Sequence, residues 1–448
     1  MNVDAMKRYD DVEAAGIWSD GNRIRTWIGI EIAAAEAQGA PLRVINEMRG
    51  ALIPTQAQVE EAEQTTRHDV VAFLQVWRRR MTPEAQTWVH RNMTSSDLVD
   101  TANAIRMANS VDLICDRLDN DLTRQVAQMA LKHRESVRVG RTHGQTAEVT
   151  TWGHRMAEFA WTLERASRRL RMFRHDIAVG KLSGPVGDFK RLTPSQEQKA
   201  MRSLNLGTAP VASQVVMRDV YADFVYGMAQ VATAIEAIAL EVRLSSRTDT
   251  GEVAESFTYG QRGSSSMPHK NNPVTSEKLC GLARIVRAQV DPVMQGVALH
   301  HERDISHSSV ERIALETATI LTAYMTRSCF NMLFNLDVRV DVMADRVNKS
   351  PQLMTAMAKD YLIENGVNPE VAWTLVANAY EDFRSGSVME FDASLALNWA
   401  SVNRHGPLPG LVEGWKPDFH GLLDLLDDPI RLVGNTRHVF ADLESLVG

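Results

Sequence analysis

The run TANAIRMANSVDLICDRLDNDLTRQVAQMALKHRESVRV, residues 101–139, contains neither Gly nor Pro. Within it Val111, Cys115, Leu118, Leu122, Val126 and Met129 recur at steps of three and four, which marks one apolar face of a helix. At 1.5 Å per residue such a helix approaches about 55 Å in length. Three more proline-free stretches follow, 152–182, 211–251 and 310–350. Another begins after Pro273, where proline suits a first turn, and is expected to kink at Pro292. Five long helices in succession have few ways to bury their faces except against one another. The sequence therefore predicts an all-α fold with an elongated central bundle. Helices this long also carry more apolar area than one chain covers, which points to oligomerisation through the bundle.

Shorter patterns flank this centre. Apolar residues at helical spacing cover 17–40, 57–63 and 70–77, giving an N-terminal helical domain over 1–95. His68 falls at the start of the third of these, with Asp69 placed to meet the positive end of the helix dipole. Ser95, Ser96 and Asp97 are N-cap candidates for the first long helix. The central domain spans 96–345. Beyond Pro351 the patterns shorten, a helix resumes over 371–383, and the tail gains Pro and Gly, so 346–448 reads as a C-terminal helical domain. Strand signals are weak, the best being 137–139 before GRTHGQ.

At 448 residues the chain exceeds the single-core limit of about 250–300 residues, so two or three domains are expected. Its 44% hydrophobic and 23% charged content is ordinary for a globular protein. A net charge of −7 gives no global attraction to nucleic acid or anionic membrane, so an anionic ligand would need local Arg and Lys. Three cysteines, 115, 280 and 329, are odd in number and widely spaced, which argues for a reducing compartment and against disulfides or a zinc site. The N-terminus lacks the apolar core of a signal peptide. The apolar stretch 225–242 is interrupted by Gln230, Glu236 and Glu241, so it reads as a buried helix and not a membrane span. A cytoplasmic location follows.

Between two helical patterns lies YGQRGSSSMPHKNNP, residues 259–273. It is too rich in Gly, Ser, Asn and Pro to continue a helix, so it should be a loop. Hydroxyls, an imidazole and an ammonium on such a loop suit chemistry, although a plain polar connector has the same composition. Histidines in three punctuated contexts, His68 in TRHDV, His143 in GRTHGQTAE and His269 in this loop, could converge as acid or base. In HHERDISHSSVER, residues 300–312, Arg303 and Arg312 flank Ser306, Ser308 and Ser309 where a helix begins. That is a plausible anion site or, equally, a helix cap with solvated arginines. Arg8 and Tyr9 could add a charge and a hydroxyl. No GxxxxGK[ST], GxGxxG or HExxH pattern occurs, and no GxSxG elbow, so no metal or nucleotide cofactor is expected.

GSSSMPHKNNP, residues 263–273, resembles the signature GSSxMPxKxNP of the fumarase/aspartase superfamily, whose members eliminate fumarate from substituted succinates. RYDDVEAAGIWSD (8–20), TRHDVVAF (66–73), MTSSDLVDTA (93–102), GRTHGQTAE (140–148) and HERDISHSSVERI (301–313) are similar to the adenylosuccinate lyase family within it. The resemblance implies three helical domains and a homotetramer whose central domains form a twenty-helix bundle, with active sites shared between subunits. The substrate it implies is a phosphorylated succinyl compound: adenylosuccinate, giving AMP and fumarate, or the succinylated aminoimidazole carboxamide ribotide of purine synthesis.

Carried over residue by residue, the resemblance makes Ser264 the base and His143 the acid, with Glu277 orienting His143. Lys270 and Asn272 would hold the succinyl carboxylates beside Thr94 and Ser95. His68, with Arg67 and Asp69, would contact substrate and support the leaving group. Arg8, Tyr9, Arg303, Ser308 and Arg312 would hold the phosphate, and Gln214 the substrate's polar middle. Departures from the family pattern are Asn271 in place of Arg, Lys278 after Glu277, Pro185 in SGPVG, and the stretch VNKSPQLMTAMAKD, 347–360. A related carbon–nitrogen lyase for another aspartate-derived adduct is the alternative. A non-catalytic scaffold is the third, and the joint presence of Ser264, His143, Lys270 and Glu277 argues against it.

Overall fold

The structure, a computed structural model, describes residues 7–256, 267, 269–404, 408 and 415–447. Ser264 and most of the 259–273 loop lie outside the described residues. The fold is all-α, with three two-stranded sheets as minor elements among the described residues.

The 101–139 run is helical, but not to its end. A helix Ser95–Arg117 passes through a π-helical turn, Leu118–Thr123, into Arg124–Lys132. The expected apolar face is real: Val111, Cys115, Leu118, Leu122 and Val126 are fully buried. After Lys132 the chain turns, with Ser136 N–H donating to the His133 carbonyl and the His133 ring 3.0 Å from Ser136 Oγ. Valines at 137 and 139 then enter a strand, Val137–Thr142, where their side chains point into a core. The next long helix, Trp152–Ile177, starts against this turn, as Trp152 and Gly153 N–H groups donate to the Ser136 and His133 carbonyls. A Cβ on Gly153 would stand 2.4 Å from the Ala130 carbonyl oxygen, so only glycine allows that approach.

Other helices also stop short of the proline-free stretches. The 211–251 stretch becomes helical at Asp219 and runs to Ser245, because residues 213–216 are tied elsewhere, as described below. The helix over 310–350 is Ser306–Phe334. It yields to a short strand, Asp337–Val338, before Val340–Asn348 resumes. Pro292 does interrupt its helix: Val274–Ala288 ends four residues before it and Val290–Gln295 follows. A proline ring collides with the carbonyl four residues earlier, here that of Ala288. At the head of the Ser95–Arg117 helix the N-cap is Thr94, not Ser95, Ser96 or Asp97; the Asp97 carboxylate turns back to accept the Thr94 N–H at 2.9 Å. The C-terminal helix expected over 371–383 is Pro369–Arg384.

The chain divides into two compact units. The first comprises 1–123, 162–241 and 274–332. Its core includes Trp27, Phe73 and Trp77, with ring centroids 5.3 and 5.8 Å apart, between helices Asp20–Ala37 and Asp69–Arg78. The second comprises 124–161, 242–273 and 333–448, and its core joins Val137 and Val139 to Leu353, Leu362, Val376 and Phe391. The Asp219–Ser245 helix is long and apolar enough to cross a membrane, but Phe224, Val225, Met228, Val231, Ile235 and Ile238 along it are fully buried within the chain.

Candidate active site

In the first unit, helix ends gather many of the expected binding residues. Arg67 closes helix Gln56–Thr66 in the left-handed region at φ 53°, which reverses the chain so that His68 becomes the N-cap of Asp69–Arg78. The His68 ring faces Asp69, the neighbour expected for it, and Ser95, which was expected beside the succinyl carboxylates: Nδ1 is 3.4 Å from Asp69 Oδ1 and Nε2 is 3.4 Å from Ser95 Oγ. Thr94 and Ser95 come to this place because they open the next long helix.

Asp69 also accepts from Arg312 at 2.6 Å, linking the head of one helix to the first turns of Ser306–Phe334. Burial works against the Asp69 charge, but the hydrogen bond and charge of Arg312 outweigh it and hold the carboxyl below its ordinary range. Asp69, Ser308 and Arg312 share the wall of a cavity of about 160 Å³ with Arg23, Arg106 and Glu316. The cavity is therefore charged in both senses. Burial, with Arg23 nearby, pushes the Arg106 guanidinium down to about 10, and its Nη2 donates to the Trp18 carbonyl at 2.7 Å. Burial also raises Glu316.

Gln214 and Arg303, assigned to substrate from sequence, meet directly: Arg303 Nη1 donates to Gln214 Oε1 at 3.1 Å. Beside them Ser213 Oγ donates to the Glu302 carbonyl at 2.7 Å. What fixes this segment was not foreseen. Arg218 is 2% exposed and grips Asp100 through both terminal nitrogens, at 2.7 and 3.0 Å, and Glu311 through Nε at 2.7 Å. Asp100 also accepts the Val216 N–H at 2.8 Å, which pins the turn two residues after Gln214. Burial opposes the Arg218 charge, yet Asp100, Tyr221 and Glu311 outweigh it and hold the guanidinium above its ordinary range. Burial lifts Glu311 to about 7 against the pull of Arg218.

Arg8 is exposed, and the Tyr9 ring stands edge-on to Tyr324 at 5.6 Å. Glu277 is exposed in the first turn of Val274–Ala288.

The second unit carries the rest. His143 sits at the tip of an antiparallel hairpin, Val137–Thr142 with Gln145–Thr151. Thr142 pairs with Gln145, leaving His143 and Gly144 as a two-residue turn at φ 53° and 76°. Two positive φ values identify a type I′ turn, whose twist matches that of the strands. The imidazole is thus exposed on a short, geometrically defined support. Lys270 is exposed and Asn272 half-buried in the segment leading to Val274. The structure brings His68 to Ser95, Asp69 to Arg312 and Gln214 to Arg303. It sets His143, Lys270 and Asn272 in the other unit, and Ser264 lies outside the described residues.

The lyase family profile matches residues 30–288. Adenylosuccinate lyases from Synechocystis and Bacillus subtilis are 38% and 37% identical to this chain, each over 83% of it and 87% of their own length. That from Aquifex aeolicus is 35% identical over 83% of this chain and 86% of its own. Among solved structures, a fumarate lyase from Mesorhizobium superposes with a TM-score of 0.83 at 21% identity, covering 98% of both chains. The 3-carboxy-cis,cis-muconate lactonizing enzyme of Pseudomonas putida gives 0.85 at 23%, covering 98% of this chain and 97% of that one. At such identities these two speak for the fold alone. With the profile and relatives above 30% identity agreeing over most of its length, the chain belongs to the adenylosuccinate lyase family of the fumarase/aspartase superfamily.

Proposed function

We propose that the chain eliminates fumarate from adenylosuccinate, giving AMP, and from succinylaminoimidazole carboxamide ribotide, in the cytoplasm. The observation that carries this reading is identity of 35–38% to adenylosuccinate lyases across 83% of the chain. On this reading the chain has helical domains at 1–95, 96–345 and 346–448, and the central ones build a twenty-helix bundle in a homotetramer with shared active sites.

The elimination breaks a C–H bond beside a carboxylate and the C–N bond to the leaving nitrogen, the exocyclic amine of adenylosuccinate or the carboxamide of the imidazole substrate, and forms the fumarate double bond. Ser264 takes the proton and His143 gives one to the departing nitrogen, with Glu277 orienting His143. The dianionic intermediate needs cationic and N–H partners, a role for Lys270 and Asn272 with Thr94 and Ser95. A free alcohol is far too weak an acid to serve as base, so the serine works only where water is excluded and donors surround the alkoxide. His68, Arg67 and Asp69 contact the substrate beside the leaving group, and Gln214 binds its polar middle. Arg8, Tyr9, Arg303, Ser308 and Arg312 hold the phosphate. Arg312 then exchanges or shares its Asp69 partner as the phosphate arrives.

A panel of succinyl adducts assayed for fumarate release tests this. Turnover of adenylosuccinate is expected, and Arg303→Ala should raise KM about 10- to 100-fold, the range for a lost charge-assisted hydrogen bond. No turnover of either purine substrate overturns the assignment. Fumarate from a different aspartate adduct, with Arg303→Ala silent, assigns the related lyase instead.

A further inference from the structure

We propose that Glu252 is a positioning residue for His143, clamping the hairpin that carries the acid to the strand Val253–Ala254. The inference rests on the reading of His143 as the acid. Carboxylates are almost never fully buried unless paired, and Glu252 is 0% exposed. Its Oε1 accepts from Arg141 Nη2 at 2.7 Å, and Oε2 stands 3.5 Å from Arg138 Nη2. Both arginines belong to the first strand of the hairpin, and Arg141 is two residues before His143.

The carboxylate is itself anchored. Glu252 N–H donates to the Ser245 carbonyl at 2.8 Å, and its own carbonyl accepts from Arg339 N–H at 3.0 Å. The next residues, Val253–Ala254, pair with Asp337–Val338. On the hairpin side the register shifts between Val139 and Arg141, and Arg141 Nη1 spans that irregularity by donating to the Val139 carbonyl at 3.1 Å. Gly140 lies inside it, where a Cβ would come within 2.7 Å of the Glu148 carbonyl oxygen. The Arg138 guanidinium stacks over Trp152 at 5.1 Å, at the point where the returning strand becomes helix. One buried carboxylate thus ties down both ends of the strand leading to the turn. His143 is exposed at that turn, so the hairpin backbone sets where its imidazole stands. A misplacement of about 1 Å can cost about 100-fold in rate, which makes such a clamp consequential.

The test compares Glu252→Gln, His143→Ala and the double variant in the adenylosuccinate assay, with thermal melts of each. Glu252→Gln should lower kcat about 10- to 100-fold with KM within about threefold, since the clamp acts on the acid and not on binding. In the His143→Ala background the same substitution should cost less than about threefold, because the group it positions is gone. Arg141→Met removes the hairpin half of the clamp from a partly exposed site and should reproduce the kcat loss, which decides the matter if Glu252→Gln does not fold. An unchanged kcat in the folded variants, or an equal further loss in the His143→Ala background, overturns this inference alone. A wild-type chain that releases no fumarate overturns the functional reading and this inference with it.

Discussion

Beside the head of the Ser306–Phe334 helix, charges are already paired. Arg312 holds Asp69, and Arg218 holds Asp100 and Glu311. At the hairpin tip His143 stands exposed on a two-residue turn, and what holds that turn is the backbone pairing of Thr142 with Gln145 below it. On the proposed reading the two regions have different tasks. Binding groups can wait in ion pairs and change partner when an anion arrives, and the paired state keeps buried charge tolerable. A proton donor must stay accessible, so its placement has to come from the backbone beneath it.

The sharpest way to break this contrast is His143→Ala. If the tip supplies the acid, kcat should fall by about 10²–10⁴-fold with KM near that of the wild type. Fumarate release measures it, and activity within about threefold of the wild type would remove His143 from the mechanism.

Arg218→Met tests the paired region. Removing one partner of a buried ion pair costs about 3–5 kcal/mol, because the other charge is left uncompensated. Two carboxylates would be left here, so the urea midpoint should drop by that equivalent. The turn at Val216 should loosen with it and raise KM through Gln214. A midpoint unchanged from the wild type would mean that the network is incidental.

His307 gives a milder, pH-dependent probe of the same region. It is 3% exposed, and its Nδ1 has no hydrogen-bond partner among the described residues. Burial first, then Arg218, pushes it down to about 4. The unfolded imidazole takes up a proton below about 6.5, whereas the folded one resists until about 4. Stability should therefore decline as pH falls from 6.5 to about 4, by up to roughly 3 kcal/mol. His307→Leu should flatten that part of the profile of melting temperature against pH. An unaltered slope would show that other groups set it.

Much of this was legible in the sequence because it is local. Steps of three and four gave the buried face through Leu118, Leu122 and Val126, and the Arg67-His68-Asp69 run gave a helix start with His68 at its cap. The long-range pieces were not. Asp100 and Arg218 are 118 residues apart, and Glu311 is 93 from Arg218, so nothing in the pattern near 211–218 announced that this segment would be pulled out of its helix. The end of the first long helix at Lys132 was missed for a related reason. Residues 133–139 hold no breaker, and the chain turns there because Ser136, Trp152 and Gly153 bond to one another across the turn. Glu252 was overlooked because a glutamate in GEVAES carries no mark of the two arginines that enclose it.

The smallest expected effect sharpens the contrast furthest. Gly144 has φ 76°, which a type I′ turn requires and an L side chain resists at about 1–2 kcal/mol. A Cβ there meets nothing within 4 Å, so Gly144→Ala brings backbone strain without a clash. Gly153→Ala is the control. Its Cβ would press on the Ala130 carbonyl at 2.4 Å and should damage the unit as a whole. Gly144→Ala should leave the melting temperature within a few degrees while lowering kcat about three- to tenfold, since strain at the turn moves the imidazole and little else. The same kcat in Gly144→Ala as in the wild type would mean that His143 does not depend on the turn for its position, and the backbone side of the comparison would fall.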